Sequence, residues 1–311
     1  MLKLAPNINE GSWMIKVGCC GYPTSMKKYH ENFSLVELNT TFYQYPKMST
    51  VLGWRNKAPE TFEITVKAHQ DISHKFKFDI EPSLKAFEQM KEICKALKAR
   101  ILLIQTPGSF RPDKLNSAQE FLGKIDREGL VVVWETRGSS WDESSTREKL
   151  AKMLQELDVP HVTDPFRTKP TYTGDVAYFR LHGLGERMYY YQYADEELRK
   201  LHEFVKPLEA GGKEVYVLFN NLSMFDDALR FMRYLETKSF PSLTRAVGLE
   251  SVRKVMERTR YPATKSALLK KLGWKLVEVE KGKQVKLNEL LKDIPPKAYG
   301  SAEEVLREIK L

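Results

Sequence analysis

The regular alternation of short apolar runs with helix-like segments is the feature that most constrains this chain. Eight runs rich in β-branched and aromatic residues lie between residues 15 and 221, and most are followed by a segment with helical spacing. Such alternation implies parallel strands joined by right-handed crossovers, and eight units favour a closed barrel over an open sheet. The predicted strands are IKVGCCGY (15–22), LVELNTTFY (35–43), FEITVKAH (62–69), ILLIQTP (101–107), LVVVWETR (130–137), VPHVTD (159–164), VAYFRLHG (176–183) and EVYVLFNN (214–221).

The fold class predicted from this pattern is α/β, with a (β/α)8 TIM barrel. The first and sixth connections are short or irregular, so helices are least expected there. The stretch GCCGYP after the first run has the wrong spacing for Gly-x-Gly-x-x-Gly, which disfavours a dinucleotide-dependent enzyme. The clearest helical segments are 83–99, 117–129, 145–158, 194–208 and 224–236.

The pattern changes after Glu250, which suggests a second, smaller domain. We expect the barrel to occupy residues 1–250 and a small, basic, mainly helical appended domain to occupy residues 256–311. Residues 250–311 hold 15 Lys and Arg against 9 Asp and Glu, a surplus of six positive charges out of the net +9 of the chain. A basic segment is a modest argument for an anionic partner.

Local signals within the appended segment predict its elements. A helix is expected from about Thr264, and a hairpin is expected to turn at Lys281-Gly282. A short helix near residues 287–292 and a last helix from Ser301 complete the segment. Ser301 is followed three residues later by Glu304, which is a capping-box pattern.

Composition and the N-terminal sequence indicate the cellular compartment of the protein. No apolar run is long enough to cross a membrane, and the N-terminus MLKLAPNINEGSWM lacks the apolar core and cleavage site of a signal peptide. Three cysteines, two of them adjacent, cannot form a disulfide framework, and Cys-x-x-Cys metal spacing is absent. We therefore expect a cytoplasmic protein with no membrane partner.

Polar side chains occur in pairs at the ends of four predicted strands. Alternate residues of a strand point to the same face, so both members of each pair share a direction. Active sites of such barrels lie at the C-terminal ends of the strands, where inward-pointing pairs converge. The pairs are Glu37-x-Asn39, Lys67-x-His69, Glu135-x-Arg137 and Arg180-x-His182.

These strand ends supply the candidate site. A single polar strand end is more often an internal salt bridge, but an accumulation of charged pairs marks a candidate functional site. The residues predicted to be catalytic are Glu37, Lys67, Glu135, Arg180 and His182. The residues predicted to bind substrate are Tyr22, Asn39, His69, His74, Arg137, Trp141, Tyr191, Asn220 and Asn221.

The chemistry of the site has two interpretations. Lys67, Arg137 and Arg180 suit an anionic group, since arginine binds phosphate and carboxylate bidentately. Glu37 or Glu135 would then act as a general acid or base, with His69 or His182 as partner. A divalent metal held by carboxylates and histidines is the less favoured interpretation, because the nearby arginines repel a cation and no tight ligand spacing occurs.

An ordered set of motifs resembles the YecE-like family, known as domain of unknown function 72. The motifs are VGCCGY, VELNTTFYQYP, Trp54, ITVKAHQDISH, LIQTP, WETRGSSW, AYFRLHG and VYVLFNN, over roughly residues 14–240. The resemblance implies a TIM barrel and an intracellular protein. It also implies that family motif positions are occupied by Glu37, Asn39, Lys67, His74, Glu135, Arg180, His182 and Asn221. The tail from about Tyr261 resembles a small helical domain of unknown function.

The family barrel is similar in architecture to endonuclease IV and sugar-isomerase barrels, which use several His, Asp and Glu metal ligands. This sequence has fewer histidines and more arginines at its strand ends, which argues against a multi-zinc mechanism. The favoured expectation is a hydrolase acting on nucleic acid, a nuclease or a DNA-lesion-processing enzyme, with an anion pocket at the barrel mouth. The alternatives are an enzyme acting on a phosphorylated or carboxylated metabolite and a non-catalytic ligand-binding regulator.

Overall fold

The structure, a computed structural model, describes residues 15–311 of the chain. The segment 1–14, where we expect no signal peptide, lies outside the described residues. Among the helices of residues 15–311, none combines the length and the apolar character needed to cross a membrane.

Eight parallel strands form one sheet that nearly closes on itself. They are β1 (Ile15–Cys20), β2 (Leu35–Leu38), β3 (Glu63–Lys67), β4 (Ile101–Gln105), β5 (Val131–Glu135), β6 (His161–Val162), β7 (Val176–Leu181) and β8 (Glu214–Phe219). Their order in space is β6-β5-β4-β3-β2-β1-β8-β7. A parallel bridge between Thr163 and Phe179 joins the two outer strands, and the Arg180 N–H donates to the Thr163 carbonyl at 3.0 Å. The predicted (β/α)8 barrel is confirmed.

Helices follow most of these strands. They are α1 (Met26–His30), α2 (Thr40–Tyr43), α3 (Met48–Lys57), α4 (Ile80–Leu97), α5 (Leu115–Lys124), α6 (Ser144–Glu156), α7 (Asp195–Ala210) and α8 (Met224–Thr237). A single π-helical turn, Asp71–Lys75, follows β3. The first connection contains only the five-residue α1, and the described residues 163–175 between β6 and β7 contain no helix. The prediction that helices are least expected in the first and sixth connections is therefore confirmed.

Apolar side chains fill the middle of the barrel and charged side chains lie at both ends. Val, Leu, Ile and Tyr side chains from six of the strands pack into one interior cluster. At the N-terminal ends of the strands, Lys16 Nζ lies 2.7 Å from Glu63 and 2.9 Å from Glu214, and Arg100 lies 2.6 Å from Glu214. The Tyr216 hydroxyl donates to Glu63 at 2.5 Å. We call these five residues, Lys16, Glu63, Arg100, Glu214 and Tyr216, the bottom cluster.

The described chain divides into two compact units. The first comprises residues 15–181 and 203–220 and contains all eight barrel strands. The second comprises residues 182–202 and 221–311, and so contains the segment after β7, helix α8 and the C-terminal segment. The predicted domain boundaries, 1–250 and 256–311, stay a prediction.

The C-terminal segment of the second unit has its own core, to which Val252, Met256, Val277 and Leu287 contribute. Its helices are α9 (Leu249–Met256), α10 (Lys265–Leu272), α11 (Leu287–Leu291) and α12 (Ala302–Glu308). Its short strands are β9 (Ala263–Thr264), β10 (Leu276–Glu280), β11 (Lys283–Lys286) and β12 (Ala298–Tyr299), which pair antiparallel as β10 with β11 and β9 with β12.

The elements expected in this segment are confirmed. The Thr264 side chain caps α10 by accepting from the Ala267 N–H, and the β10-β11 hairpin turns at Gly282, whose φ is +79°. Ser301 caps α12 by accepting from the Glu304 N–H. The Glu304 carboxylate in turn accepts from the N–H of Gly300, one residue before the position that a capping box uses.

Candidate active site

Arg180, near the end of β7, is the centre of an ion-pair network inside the barrel. Its Nη1 donates to Glu135 Oε2 at 2.5 Å, and its Nη2 donates to Glu37 Oε1 at 2.8 Å. β7 is a sheet neighbour of neither β5 nor β2, so the three side chains meet only by crossing the barrel interior. All three side chains are buried, with at most 5% exposed.

The remaining carboxylate oxygens of this network also accept hydrogen bonds. Glu37 Oε2 accepts from the Tyr178 hydroxyl at 2.9 Å, and that hydroxyl lies 2.8 Å from Thr65 Oγ1. Glu135 Oε1 accepts from Arg137 Nε at 2.8 Å. Because every oxygen of the two carboxylates has a donor, the geometry fits carboxylates that hold Arg180 in place.

Burial sets the charge of the groups around this network. Burial alone lowers the pKa of Arg180, but the carboxylates of Glu37 and Glu135 outweigh it and raise that pKa well above its ordinary value. Arg180 is therefore a permanent cation. Burial, reinforced by Glu37, raises the pKa of the Cys20 thiol, which is a neutral group and a poor nucleophile.

Lys67, the last residue of β3, differs from the two arginines in its partners. Its Nζ donates to Gln105 Oε1 at 2.7 Å and lies 3.8 Å from the centroid of the Phe42 ring. Within residues 15–311, no carboxylate comes within ion-pair distance of it. Burial, reinforced by the positive charge of Arg180, lowers the pKa of Lys67 to about 8 even though the two glutamates oppose the shift. Both protonation states of Lys67 are consequently accessible near neutral pH.

We call Glu37, Lys67, Glu135, Arg137 and Arg180 the mouth cluster. It contains two carboxylates and three cationic side chains, so it carries one surplus positive charge when Lys67 is protonated. The Arg137 side chain is 21% exposed and is the most accessible of these cations. A site with surplus positive charge and an accessible guanidinium suits an anion.

His74 and Asn39 lie next to this cluster in the fold. His74 packs its ring edge-on against Phe42 at 4.9 Å, and its Nδ1 lies 2.9 Å from Ser73 Oγ. Burial lowers the pKa of His74, and Lys67 and Arg137 lower it further, so the imidazole is neutral at pH 7. Asn39 follows Glu37 by two residues, and its buried Oδ1 has no hydrogen-bond partner among the described residues. A buried acceptor without a donor is a position where a ligand donor fits.

His69 has a separate environment. Its ring stacks on Tyr45 at 3.8 Å, and its Nδ1 accepts from the Asp71 N–H at 3.1 Å. Burial lowers the pKa of His69 even though Asp71 opposes the shift. These contacts hold His69 in the loop after β3, and we leave it out of the mouth cluster.

Three further predicted residues of the first unit have partners outside the mouth cluster. The Tyr22 hydroxyl lies 3.2 Å from His30 Nε2 on α1. Trp141 is only 2% exposed, and its indole N–H donates to the Phe110 carbonyl at 3.0 Å. The Asn220 N–H donates to the Leu181 carbonyl at 2.8 Å. A buried indole cannot stack on a substrate, so we leave Trp141 out of the binding site.

The three predicted site residues of the second unit form contacts within that unit. Asn221 Nδ2 donates to the Tyr191 carbonyl at 2.9 Å and to Asp227 Oδ2 at 2.7 Å. The Tyr191 hydroxyl donates to Glu197 at 2.5 Å. His182 is buried, and its ring centroid lies 6.0 Å from that of Tyr189. Asn221 and Tyr191 thus make bonds that stabilise the segment after β7.

The alternative of a metal site finds little support in the side chains. Among residues 15–311, no three His, Cys, Asp or Glu side chains converge in a way that could hold a metal ion. Glu37 and Glu135 point their oxygens at arginine and tyrosine donors instead. The donor set of the mouth cluster therefore fits an anion better than a cation.

Tyr178, Gln105 and Phe42 complete the site and were not among the predicted site residues. Tyr178 could have been found, because it precedes Arg180 by two residues and so shares its face of β7. Gln105 is the last residue of β4, but it has no polar neighbour two residues away, so it does not form one of the strand-end pairs on which the prediction relied. Phe42 carries no sequence signal, since a phenylalanine beside a strand is usually a core residue.

Fold and side chains together define a TIM-barrel protein with an arginine-centred cluster of charged residues at the C-terminal ends of its strands. The chain belongs to the family described as "Protein of unknown function DUF72", which matches residues 20–247. The resemblance drawn from the strand-end motifs is thereby confirmed.

Relatives from several bacteria resemble this chain over most of their own length. The UPF0759 protein YunF of Bacillus subtilis is 27% identical over 266 residues, which cover 72% of this chain and 94% of that protein. A DUF72 family crystal structure from Thermotoga maritima is 28% identical with a TM-score of 0.59, covering 72% of this chain and 99% of its own. One from Enterococcus faecalis is 25% identical with a TM-score of 0.61, covering 73% and 98%.

Proposed function

We propose that this protein is an enzyme that binds a small phosphate- or carboxylate-bearing substrate at the C-terminal mouth of its barrel and moves a proton through Lys67. The observation that carries the proposal is the environment of Lys67. It is 8% exposed, it has no carboxylate partner in residues 15–311, and its pKa is lowered to about 8. A buried amine that changes charge near neutral pH supports acid-base catalysis.

The other members of the mouth cluster take complementary roles. Arg137, the most accessible cation, is the group that contacts the substrate anion. Glu37, Glu135 and Tyr178 are positioning residues that hold Arg180, whose charge adds to the positive potential of the site. His74, neutral and beside Phe42, is a second group able to exchange a proton.

Hydrolysis of an ester is the reaction that these roles support. Neutral Lys67 takes a proton from water, the resulting hydroxide attacks the phosphoryl or acyl centre, and the ester bond to the leaving alcohol breaks. Protonated Lys67 then returns the proton to the leaving oxygen, so the enzyme ends unchanged. Arg137 stabilises the negative charge that develops on the attacked group.

The burial of Arg180 and Lys67 favours a small substrate over a polymer. A nucleic acid backbone needs a row of exposed cations along its path. In the mouth cluster, Arg180 is 1% exposed and Lys67 is 8% exposed. A compact anion that reaches Arg137 and Lys67 together fits this arrangement.

The experiment that tests the proposal is titration calorimetry with inorganic phosphate at pH 7 and low salt. We expect Arg137→Gln to weaken phosphate binding tenfold or more, because it removes the accessible guanidinium. Arg100→Gln is the matched control, since Arg100 belongs to the bottom cluster and is also paired with a glutamate. Equal phosphate affinity in wild type and Arg137→Gln, or no binding at all, would contradict the proposal.

A nucleic acid hydrolase is the second candidate, and an aromatic and cationic group in the second unit favours it. The Arg187 guanidinium lies 3.3 Å from the Tyr190 ring centroid, Lys275 lies 4.5 Å from that of Trp274, and the two rings are 6.0 Å apart. Aromatic rings beside cations are typical of single-strand binding surfaces. Anisotropy with a labelled single-stranded oligonucleotide tests this candidate. Binding that weakens with salt and with Trp274→Ala would support it, and absence of binding at low salt would exclude it.

The cytoplasm is the location that we propose. All three cysteines of the chain are buried, and none of them forms a disulfide. Cysteines of this kind support a reducing compartment.

A further inference from the structure

An open polar depression in the surface lies beyond the ends of β4 and β5 in the first unit, and five of the six residues that line it are exposed. It has a volume of about 300 Å³ and is lined by Gly108, Arg111, Gly138, Ser139, Ser140 and Glu143. Gly138 directly follows Arg137, the accessible cation of the mouth cluster. We call this the loop cavity. Its volume is at the lower end of the range for small-molecule sites, roughly 300 to 1,000 Å³.

The walls of the loop cavity are held together by buried contacts. Trp141 stacks on Phe110 with the two ring planes 8° apart, and its indole N–H donates to the Phe110 carbonyl. This pair joins the loop after β5 to the loop after β4. Gly138 has a φ of +106°, and a Cβ there would lie 3.4 Å from the Gly108 carbonyl, so the two loops also approach closely at the glycines. The two loops that border the loop cavity are therefore held against each other by a buried aromatic contact and by a close approach of their backbones.

The polar side chains of the loop cavity are available to a ligand. Within residues 15–311, the side chains of Arg111, Ser139, Ser140 and Glu143 make no hydrogen bond or ion pair. One cation and one anion line the same space, so the cavity has no net formal charge. Two hydroxyls, a carboxylate acceptor and a guanidinium donor together match a neutral group that carries several hydroxyls.

We infer that the loop cavity binds the hydroxyl-bearing, uncharged part of the substrate, a polyol or sugar, whose anionic end lies at Arg137 and Lys67. This inference rests on the proposed function, and it narrows the substrate class to phosphorylated or carboxylated polyols. Trp141 is a positioning residue in this arrangement, because it fixes the loops and is itself too buried to touch the ligand.

Calorimetry with inorganic phosphate, glycerol 3-phosphate, ribose 5-phosphate and glucose 6-phosphate tests the inference. We expect at least one polyol phosphate to bind tenfold or more tightly than inorganic phosphate. Glu143→Ala and Ser139→Ala are expected to remove that gain while leaving the dissociation constant for inorganic phosphate unchanged. Glu148 is an exposed glutamate on α6, the helix that begins directly after Glu143, and it does not line the cavity; Glu148→Ala is therefore the matched control and should change neither value.

The outcomes separate this inference from the proposed function. If inorganic phosphate binds and depends on Arg137, but no polyol phosphate binds more tightly, the loop cavity inference is overturned and the proposed function stands. A gain that survives Glu143→Ala and Ser139→Ala together overturns the inference as well. If no compound in the series binds, the proposed function fails and the inference fails with it.

Discussion

The two ends of the barrel hold charged clusters of similar composition but opposite character. In the bottom cluster, two cations face two carboxylates, and the ion-paired side chains are 25–45% exposed. In the mouth cluster, three cations face two carboxylates, and most of the side chains are buried. The bottom cluster is charge-balanced and solvated, as expected of a structural network, whereas the mouth cluster keeps a surplus positive charge away from water.

The two lysines show the difference most directly. Burial alone lowers the pKa of Lys16, but hydrogen bonds with Glu63, Tyr216 and Glu214 outweigh burial and raise that pKa above its ordinary value. At Lys67 burial prevails, and the pKa is lowered to about 8. A lysine whose charged form is stabilised by carboxylates is typical of a structural ion pair, whereas a lysine whose charged form is destabilised by burial is a candidate for a functional site.

The largest expected effect comes from removing the central arginine at the mouth. Arg180→Met leaves Glu37 buried without a cation and leaves Glu135 with Arg137 alone, and we expect it to lower the free energy of unfolding by about 3 to 5 kcal/mol. Arg100→Met removes a partly exposed cation of the bottom cluster and is expected to cost about 1 kcal/mol or less. Urea unfolding of both variants measures the two values. Equal losses would mean that the mouth cluster is an ordinary salt-bridge network.

The second-largest expected effect is a difference in sign: Lys67→Met and Lys16→Met are expected to change the free energy of unfolding in opposite directions. At pH 7, Lys67→Met is expected to raise the free energy of unfolding by roughly 1 kcal/mol, because it removes a cation whose pKa the fold depresses. Lys16→Met is expected to lower it by about 1 kcal/mol, because Glu63 and Glu214 lose a shared partner. Thermal unfolding of both variants at pH 7 compares the signs. A loss of stability in Lys67→Met as large as that in Lys16→Met would contradict the account.

The pH dependence of the Lys67→Met effect follows from the same shift. Between pH 8 and the ordinary lysine pKa of 10.5, the unfolded chain holds a proton at this position that the folded protein has released. Raising the pH through this range therefore stabilises the wild type. The advantage of Lys67→Met is expected to shrink from pH 7 to pH 10 in urea unfolding. An advantage that is constant with pH would show that the substitution acts through packing instead.

The smallest effect concerns two buried tyrosines on neighbouring strands. Tyr178→Phe removes the donor to Glu37, and Tyr216→Phe removes the donor to Glu63. Each is expected to cost about 1 kcal/mol of unfolding free energy. Only Tyr178→Phe is expected to weaken phosphate binding as well, by a few fold, because it loosens the carboxylate that positions Arg180. A weakening of equal size in Tyr216→Phe would remove the functional distinction between the two clusters.

Much of the fold and part of the site follow from alternation in the sequence. The barrel is predicted because most of the apolar runs are followed by a helical segment. The two-residue spacing of polar strand ends places them on one face, which predicts four site residues: Glu37, Lys67, Glu135 and Arg180. Their roles do not follow from spacing. Only the distances from Arg180, Tyr178 and Arg137 show that every oxygen of both glutamates accepts a hydrogen bond, which makes the glutamates positioning residues.

The residues whose surroundings the sequence did not reveal lie mainly in loops. Trp141 was expected at the mouth because it follows β5. Its indole instead packs against Phe110, which belongs to the loop after β4 and is distant in sequence. Asn221 and Tyr191 follow strands in the same way, but they bond to each other and to Asp227 and Glu197 within the second unit. Strand periodicity fixes the direction of a side chain, whereas in a loop tertiary packing determines it.

The central claim is that Lys67 is a cation held without a carboxylate partner and able to release its proton near neutral pH. The most direct measurement is a carbon-13 NMR titration of the lysine ε-carbons, with the Lys67 signal assigned by its loss in Lys67→Met. We expect Lys67 to titrate near pH 8 in the free protein, and to titrate at higher pH in saturating phosphate because an anion favours the charged form. A titration at pH 10 or above, unchanged by phosphate, would contradict the account.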